Sequence, residues 1–269
     1  MKGIKHPHEG QIALNRKIAY MGEIGRQRDQ FCKIYTSAKK QGIASVEKQL
    51  SDSVKEMDKE ITCRRGCSYC CHVYVFADLQ ECEAIVHYMY RNEEIFRYFL
   101  DRYRLWKDKL SSPEKILHGI DSVQEKMLLG NVSQEERDAF NGKLSAYAAL
   151  RTPCPFLLDD ACTIYEVRPY VCAGVISTSP VEYCDPNHPK HDETVLYKAD
   201  FQPQEDLPYF VETKCAVNFG CMPELVYRII KYGYGFLSGI AGLENMQLEA
   251  ATDPEVKSIL AGMQVRQTS

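Results

Sequence analysis

The chain of 269 residues has one tryptophan, little net charge (−4) and no long apolar run. No stretch approaches the roughly 20 consecutive apolar residues that a membrane helix needs, so neither a span nor a membrane partner is expected. The opening Met1-Lys2-Gly3 reaches His6-Pro7-His8 without the apolar centre of a secretory signal. A cytoplasmic location is therefore the expectation, and there thiols stay reduced. Lysine and arginine are scattered among the acidic residues and form no basic run, which speaks against a nucleic-acid partner. Repeats and low-complexity tracts are also missing, as is a glycine-rich nucleotide loop following a strand.

What is present is an ordinary globular mixture, 45 % hydrophobic and 26 % charged, in a chain long enough to bury a core without staples. The spacing reads as mainly α: a helical bundle with a loop-rich, cysteine-bearing metal-binding segment. The division expected is an N-terminal arm over 1–28, a single helical cysteine-cluster domain over 29–263 and a tail over 264–269. From Asp29 to Ile61, Phe31, Ile34, Tyr35, Ala38, Ile43, Val46 and Leu50 form an apolar stripe at helical spacing. Gly42 interrupts it, so one helix and two are equally compatible with the pattern. Val73–Phe76 suits a brief buried strand or an extended link. Asp78 with Glu81, and Ser133 with Glu136, carry the chemistry of helix starts. They predict helices toward Met89 and Leu150, with another over Glu93 to Leu110 and a Ser112-Pro113 start toward Met127. These helices between Asp78 and Leu150 are expected to run antiparallel. Thr152–Phe210, rich in Pro, Asp and Cys, lacks helical period and needs something besides a broad core to order it. Helices are expected again at Pro223–Tyr232, at Gly235–Leu248 and after Asp253-Pro254.

Twelve cysteines are the most informative residues. Cys63, Cys67, Cys70 and Cys71 stand in one short motif (63–72); Cys154, Cys162, Cys172 and Cys184 occupy a second (154–184). Close spacing lets thiolates converge on a metal at little cost in loop entropy. Adjacent Cys70 and Cys71 point in different directions, so the four of the first motif are expected to be shared between centres or with the second motif. Gly66 suits a tight turn. Arg64, Arg65 and Arg168 stand beside the cysteines as candidate donors to sulfur, and Pro169 holds Arg168 extended. Tyr165 and Phe156 are expected to cover the centre. Eight thiolates exceed the need of one tetrahedral ion, which favours iron or an iron–sulfur cluster, with zinc as the alternative.

The pattern C-x3-C-x2-C-C, then Cys154-Pro155-Phe156-Leu157, then Cys162-Thr163-Ile164-Tyr165-Glu166-Val167-Arg168-Pro169-Tyr170-Val171-Cys172 and a further cysteine, resembles the zinc- or iron-chelating cysteine-cluster family. That family includes proteins similar to flagellin lysine N-methylases. The resemblance covers residues 60–185. It implies a metal ion as the partner, held by the eight cysteines, with Arg168 and Tyr165 beside it. One departure is Ala173, where relatives often carry a basic residue.

Cys32 and Cys82 fall in helical patterns and read as core. Cys215, Cys221, His72, His188 and His191 are secondary ligand candidates. Four functions compete: a metal-binding protein, redox-active or metal-handling; an enzyme using the centre, such as a protein-lysine N-methylase; a radical S-adenosylmethionine enzyme, whose C-x3-C-x2-C spacing Cys63, Cys67 and Cys70 reproduce; and a zinc-stabilised scaffold. The radical enzyme predicts repeated strand–helix units. No catalytic residue, substrate or protein partner is indicated.

Overall fold

A computed structural model describes residues 8–110, 132–199 and 219–233, with single positions 116, 117, 120, 126, 254 and 258. The chain is mainly α. Among the described residues the helices are α1 (Glu9–Ile18), α2 (Gly22–Glu56), α3 (Leu79–Tyr90), α4 (Glu93–Lys109), α5 (Gln134–Ala149), α6 (Tyr170–Ala173) and α7 (Met222–Tyr232), besides a few single helical positions. Among the described residues, six short strands form three antiparallel pairs: β1 (Phe76–Asp78) with β6 (Phe219–Cys221), β2 (Leu157–Leu158) with β3 (Ala161–Cys162), and β4 (Val175–Ser177) with β5 (Leu196–Lys198). Among the described residues no helix is long and apolar enough to cross a membrane. Cys215, residues 200–210, most of the helix expected after Ser112, the helix expected at Gly235–Leu248, most of the one expected after Asp253-Pro254 and the tail lie outside the described residues.

The helix starts follow local chemistry. Asp78 Oδ1 accepts from the Glu81 N–H at 2.6 Å and opens α3. Ser133 and Glu136 complete a reciprocal capping box at the head of α5. Such caps satisfy N–H groups that the first helical turn leaves unpaired. Pro223 in the first turn of α7 has no N–H to lose.

The stretch 1–28 is not simply an arm, because Glu9–Ile18 is helical and packs on α7, burying Ile12. Of the two arrangements compatible with Gly42, the single helix is the one formed: α2 runs unbroken for 35 residues. Ile34, assigned to the buried stripe, is 51 % exposed, while Phe31, Tyr35, Ile43, Val46, Leu50 and Val54 are buried.

The main core lies around α3, which packs against α2, α4 and α7. Ile85, Val86, Met89, Phe99, Val226 and Ile230 are fully enclosed there. Phe156 and Ile164, from the cysteine-bearing segment, join the same cluster. A second, smaller cluster joins α2 to α6 through Phe31, Cys32, Tyr35, Ile43, Tyr170 and Ala173. The loop-rich segment is thus seated on helices at two points.

Candidate metal centre

The first motif folds as two successive turns. Gly66 has φ +91°, which lets the Cys67 N–H return to the Arg64 carbonyl at 3.0 Å. A 3-10 turn, Tyr69–His72, then carries Cys70 and Cys71. In the second motif, the Leu157 N–H closes a turn onto the Cys154 carbonyl at 2.9 Å. The β2–β3 hairpin follows, with Asp159 and Asp160 both at positive φ (48° and 60°). Aspartate tolerates this left-handed backbone better than most side chains. Arg168 is extended (φ −58°, ψ 150°) ahead of Pro169, and α6 then presents Cys172.

The two motifs meet directly. The Cys154 N–H donates to the Cys71 carbonyl at 2.7 Å. Ser68 Oγ donates to Asp160 Oδ1 at 2.6 Å, tying the hairpin to the first motif. The Ser177 N–H donates to Cys63 Sγ at 3.1 Å, and the Thr62 N–H donates to the Ser177 carbonyl at 2.9 Å. Cys63, Cys67, Cys70, Cys71, Cys154, Cys162 and Cys172 all line one cavity of about 360 Å³. Cys184 is not part of that wall; its thiol is bonded by Ser177, beside Cys63. None of the eight cysteines of the two motifs is in a disulfide; each is a free thiol.

The thiols fall into an inner and an outer set. Cys154, Cys162 and Cys172 pack against the main core. Cys63 and Cys184 lie beside Ser177 of β4, near Cys67. Cys70 is exposed as a residue but turns its thiol against Cys71. Burial pushes the Cys63, Cys162 and Cys184 thiols up, and the Cys172 thiol well up. Burial drives Cys154 up to about 12. Neighbouring sulfurs add to the rise: Cys67 and Cys70 for Cys63 and Cys184, and Cys154, Cys70 and Cys162 for Cys172. The Cys71 thiol is raised by its bond to Cys70, then by burial, while that bond lowers Cys70. Crowded, desolvated thiols of this kind repel one another as thiolates, and a cation among them would relieve the repulsion.

The arginines behave differently from one another. Arg168 is buried, yet its guanidinium goes to Glu47 Oε1 at 2.5 Å and to the Tyr165 carbonyl at 3.2 Å rather than to sulfur. It lies 3.5 Å over the Tyr165 ring, and its charge lowers Cys70 and opposes the rise at Cys162. Arg64 and Arg65 are exposed at the cavity wall, Arg65 standing 5.2 Å from the same ring. Phe156, Ile164, Val75 and Met222 supply the apolar wall.

Of the secondary candidates, His72 Nδ1 pairs with the Ser68 carbonyl, and His191 Nδ1 with the Tyr183 carbonyl. The His188 ring stacks on Tyr183, 5.0 Å between centroids. Cys221 is buried in β6, and Cys32 and Cys82 are fully buried core residues. Glu47, Ile61, Val75, Ile176 and Met222 line the cavity without having been singled out from sequence. They come from elements distant in the chain, and nothing in their spacing marks them.

In chemistry the donors suit a thiophilic metal: they are reduced, soft and gathered around one cavity. Their geometry is open, since among the described residues no three Cys, His, Asp or Glu side chains form a set that would hold an ion. Comparison with family models, with characterised proteins and with solved structures finds no match.

Proposed function

We propose that this chain is a helical-bundle, cytoplasmic metal-binding protein whose cysteine cavity takes iron or an iron–sulfur centre, with zinc as the alternative. The observation that carries the reading is the meeting of free thiols from two remote motifs on one cavity. The resemblance to the cysteine-cluster family, drawn from motif spacing, points the same way. The residues that would hold the metal are Cys63, Cys67, Cys70, Cys71, Cys154, Cys162, Cys172 and Cys184. Arg168 and Tyr165 would flank it, offering positive charge and an aromatic cover. A bound centre would supply either a rigid crosslink between the motifs or one-electron redox chemistry. Because the donors stand open, loading is expected to draw them together.

An enzyme that uses the centre is the second reading. Its support is the cavity's volume, about 360 Å³, which falls within the range of small-ligand sites. Its methylase version rests on the family resemblance alone. The radical-enzyme version loses its structural support: the described sheets are antiparallel pairs rather than strand–helix repeats. Protein purified without oxygen should carry iron, with sulfide if clustered, or zinc. Visible absorption and elemental analysis distinguish these, and metal-free protein with wholly reactive thiols would reject the proposal.

A further inference from the structure

Helix α6 has four residues, too few to hold itself in place, yet it carries Cys172. Its position is set from behind by α2 and α3. Lys39, in the middle of α2, is 0 % exposed. Its Nζ donates to Glu81 Oε1 at 2.9 Å and to the Val167 carbonyl at 3.1 Å. The same Glu81 oxygen accepts the Tyr170 N–H at 3.1 Å, at the head of α6. Tyr170 Oη in turn donates to the Lys39 carbonyl at 3.2 Å. Gly42, one turn further along α2, makes room for that hydroxyl: a Cβ there would stand 2.6 Å from Tyr170 Oη.

A buried ion pair contributes little net stability compared with apolar residues of similar shape, whereas removing one partner costs much. The Lys39–Glu81 pair is also joined to a backbone N–H and a backbone carbonyl of the cysteine-bearing segment. That makes it a fixture for this segment as well as a contact between helices. We infer that Lys39, Glu81 and Gly42 are positioning residues, which hold the α6 turn so that Cys172 reaches the cavity beside Cys154 and Cys162. The inference rests on the metal-binding reading only in what the position is for; the positioning itself is testable without metal.

The test uses reduced full-length protein and two kinds of readout. The first is the alkylation rate of each cysteine by iodoacetamide, resolved by mass spectrometry. The second is titration with Co(II), followed by thiolate charge-transfer absorption. Gly42→Ala favours the helix it sits in, so a role confined to α2 predicts no change at the cysteines. The positioning role predicts that Cys172 alkylates at least fivefold faster relative to Cys63, and that Co(II) affinity falls about tenfold. Adding Tyr170→Phe removes the atom the new methyl meets and should restore both readouts. Lys39→Met with Glu81→Leu removes both charges together and should reproduce the Gly42→Ala pattern. Wild-type Cys172 rates in Gly42→Ala and in the Lys39/Glu81 pair would overturn the inference. So would reaction of the buried Cys32 and Cys82 in step with Cys172, because that marks general loss of fold. If wild-type protein takes up no Co(II), the metal-binding reading fails, and the alkylation rates still decide the positioning claim.

Discussion

Phe156 joins the core to the cavity, and its truncation tests how far the site depends on the helices. The side chain is 0 % exposed and stacks on Phe99 of α4, 4.5 Å between ring centroids and 18° between planes. It also lines the cavity, and its carbonyl accepts from the Thr163 N–H at 2.9 Å, across the hairpin that carries Cys162. Phe156→Ala removes a fully buried ring from a site closed on one side by α4. Such changes cost about 3–5 kcal/mol. For a chain of this size that corresponds to roughly 6–20 °C in Tm. Phe156→Leu keeps much of the apolar volume and should cost about 1–2 kcal/mol. Urea denaturation followed by Trp106 emission measures both, since this buried indole belongs to the same cluster. The alanine variant should also expose Cys154 and Cys162 to alkylation before global unfolding. A loss below about 1 kcal/mol would show that Phe156 is not the joint described here.

Other consequences follow from individual contacts. Burial pushes the His87 imidazole down to about 4, although its bond to Asp29 opposes the fall. The folded state therefore keeps His87 neutral where the unfolded chain takes a proton, so its contribution is present above pH ~6.5 and is lost as pH drops toward 4, by up to about 3 kcal/mol. Equilibrium unfolding at stepped pH should show this decline, and His87→Gln should flatten it. Ser133→Ala removes the α5 cap and should cost about 1 kcal/mol by denaturant titration; no loss would remove the capping box from the account. Arg168→Gln breaks the ion pair with Glu47 and the stacking on Tyr165 while sparing every thiol. It should keep metal content but shift the absorption bands or midpoint potential, whereas spectra and potential identical to wild type would reduce Arg168 to a structural contact.

The capping residues were the most legible part of the fold, because a cap is decided within four residues. Asp78 and Ser133 open their helices as local chemistry dictates. Gly42 left one helix and two equally open, because glycine has two uses. It can break a helix, while here it admits a tyrosine hydroxyl from a segment more than 120 residues away. Ile34 fits the helical period, but among the described residues no element covers it, and it is exposed. The pairing of Phe76–Asp78 with Phe219–Cys221 lies beyond any local pattern, since strands of three residues carry too little alternation to announce a partner. The lack of helical period after Thr152 pointed to the meeting of the two motifs, and they do meet. Cysteine spacing did not foretell that Arg168 would turn to Glu47 and Tyr165, because the competing carboxylate comes from α2.

The most direct test of the central claim is a metal-binding titration of the reduced, metal-free chain with simultaneous counting of free thiols. Metal-binding by the cavity predicts stoichiometric uptake, with cysteines of both motifs losing reactivity together. Cys63→Ser and Cys172→Ser, one from the outer set and one from the inner, should each lower the amount bound. Substoichiometric uptake that leaves Cys154, Cys162 and Cys172 as reactive as before would contradict the account.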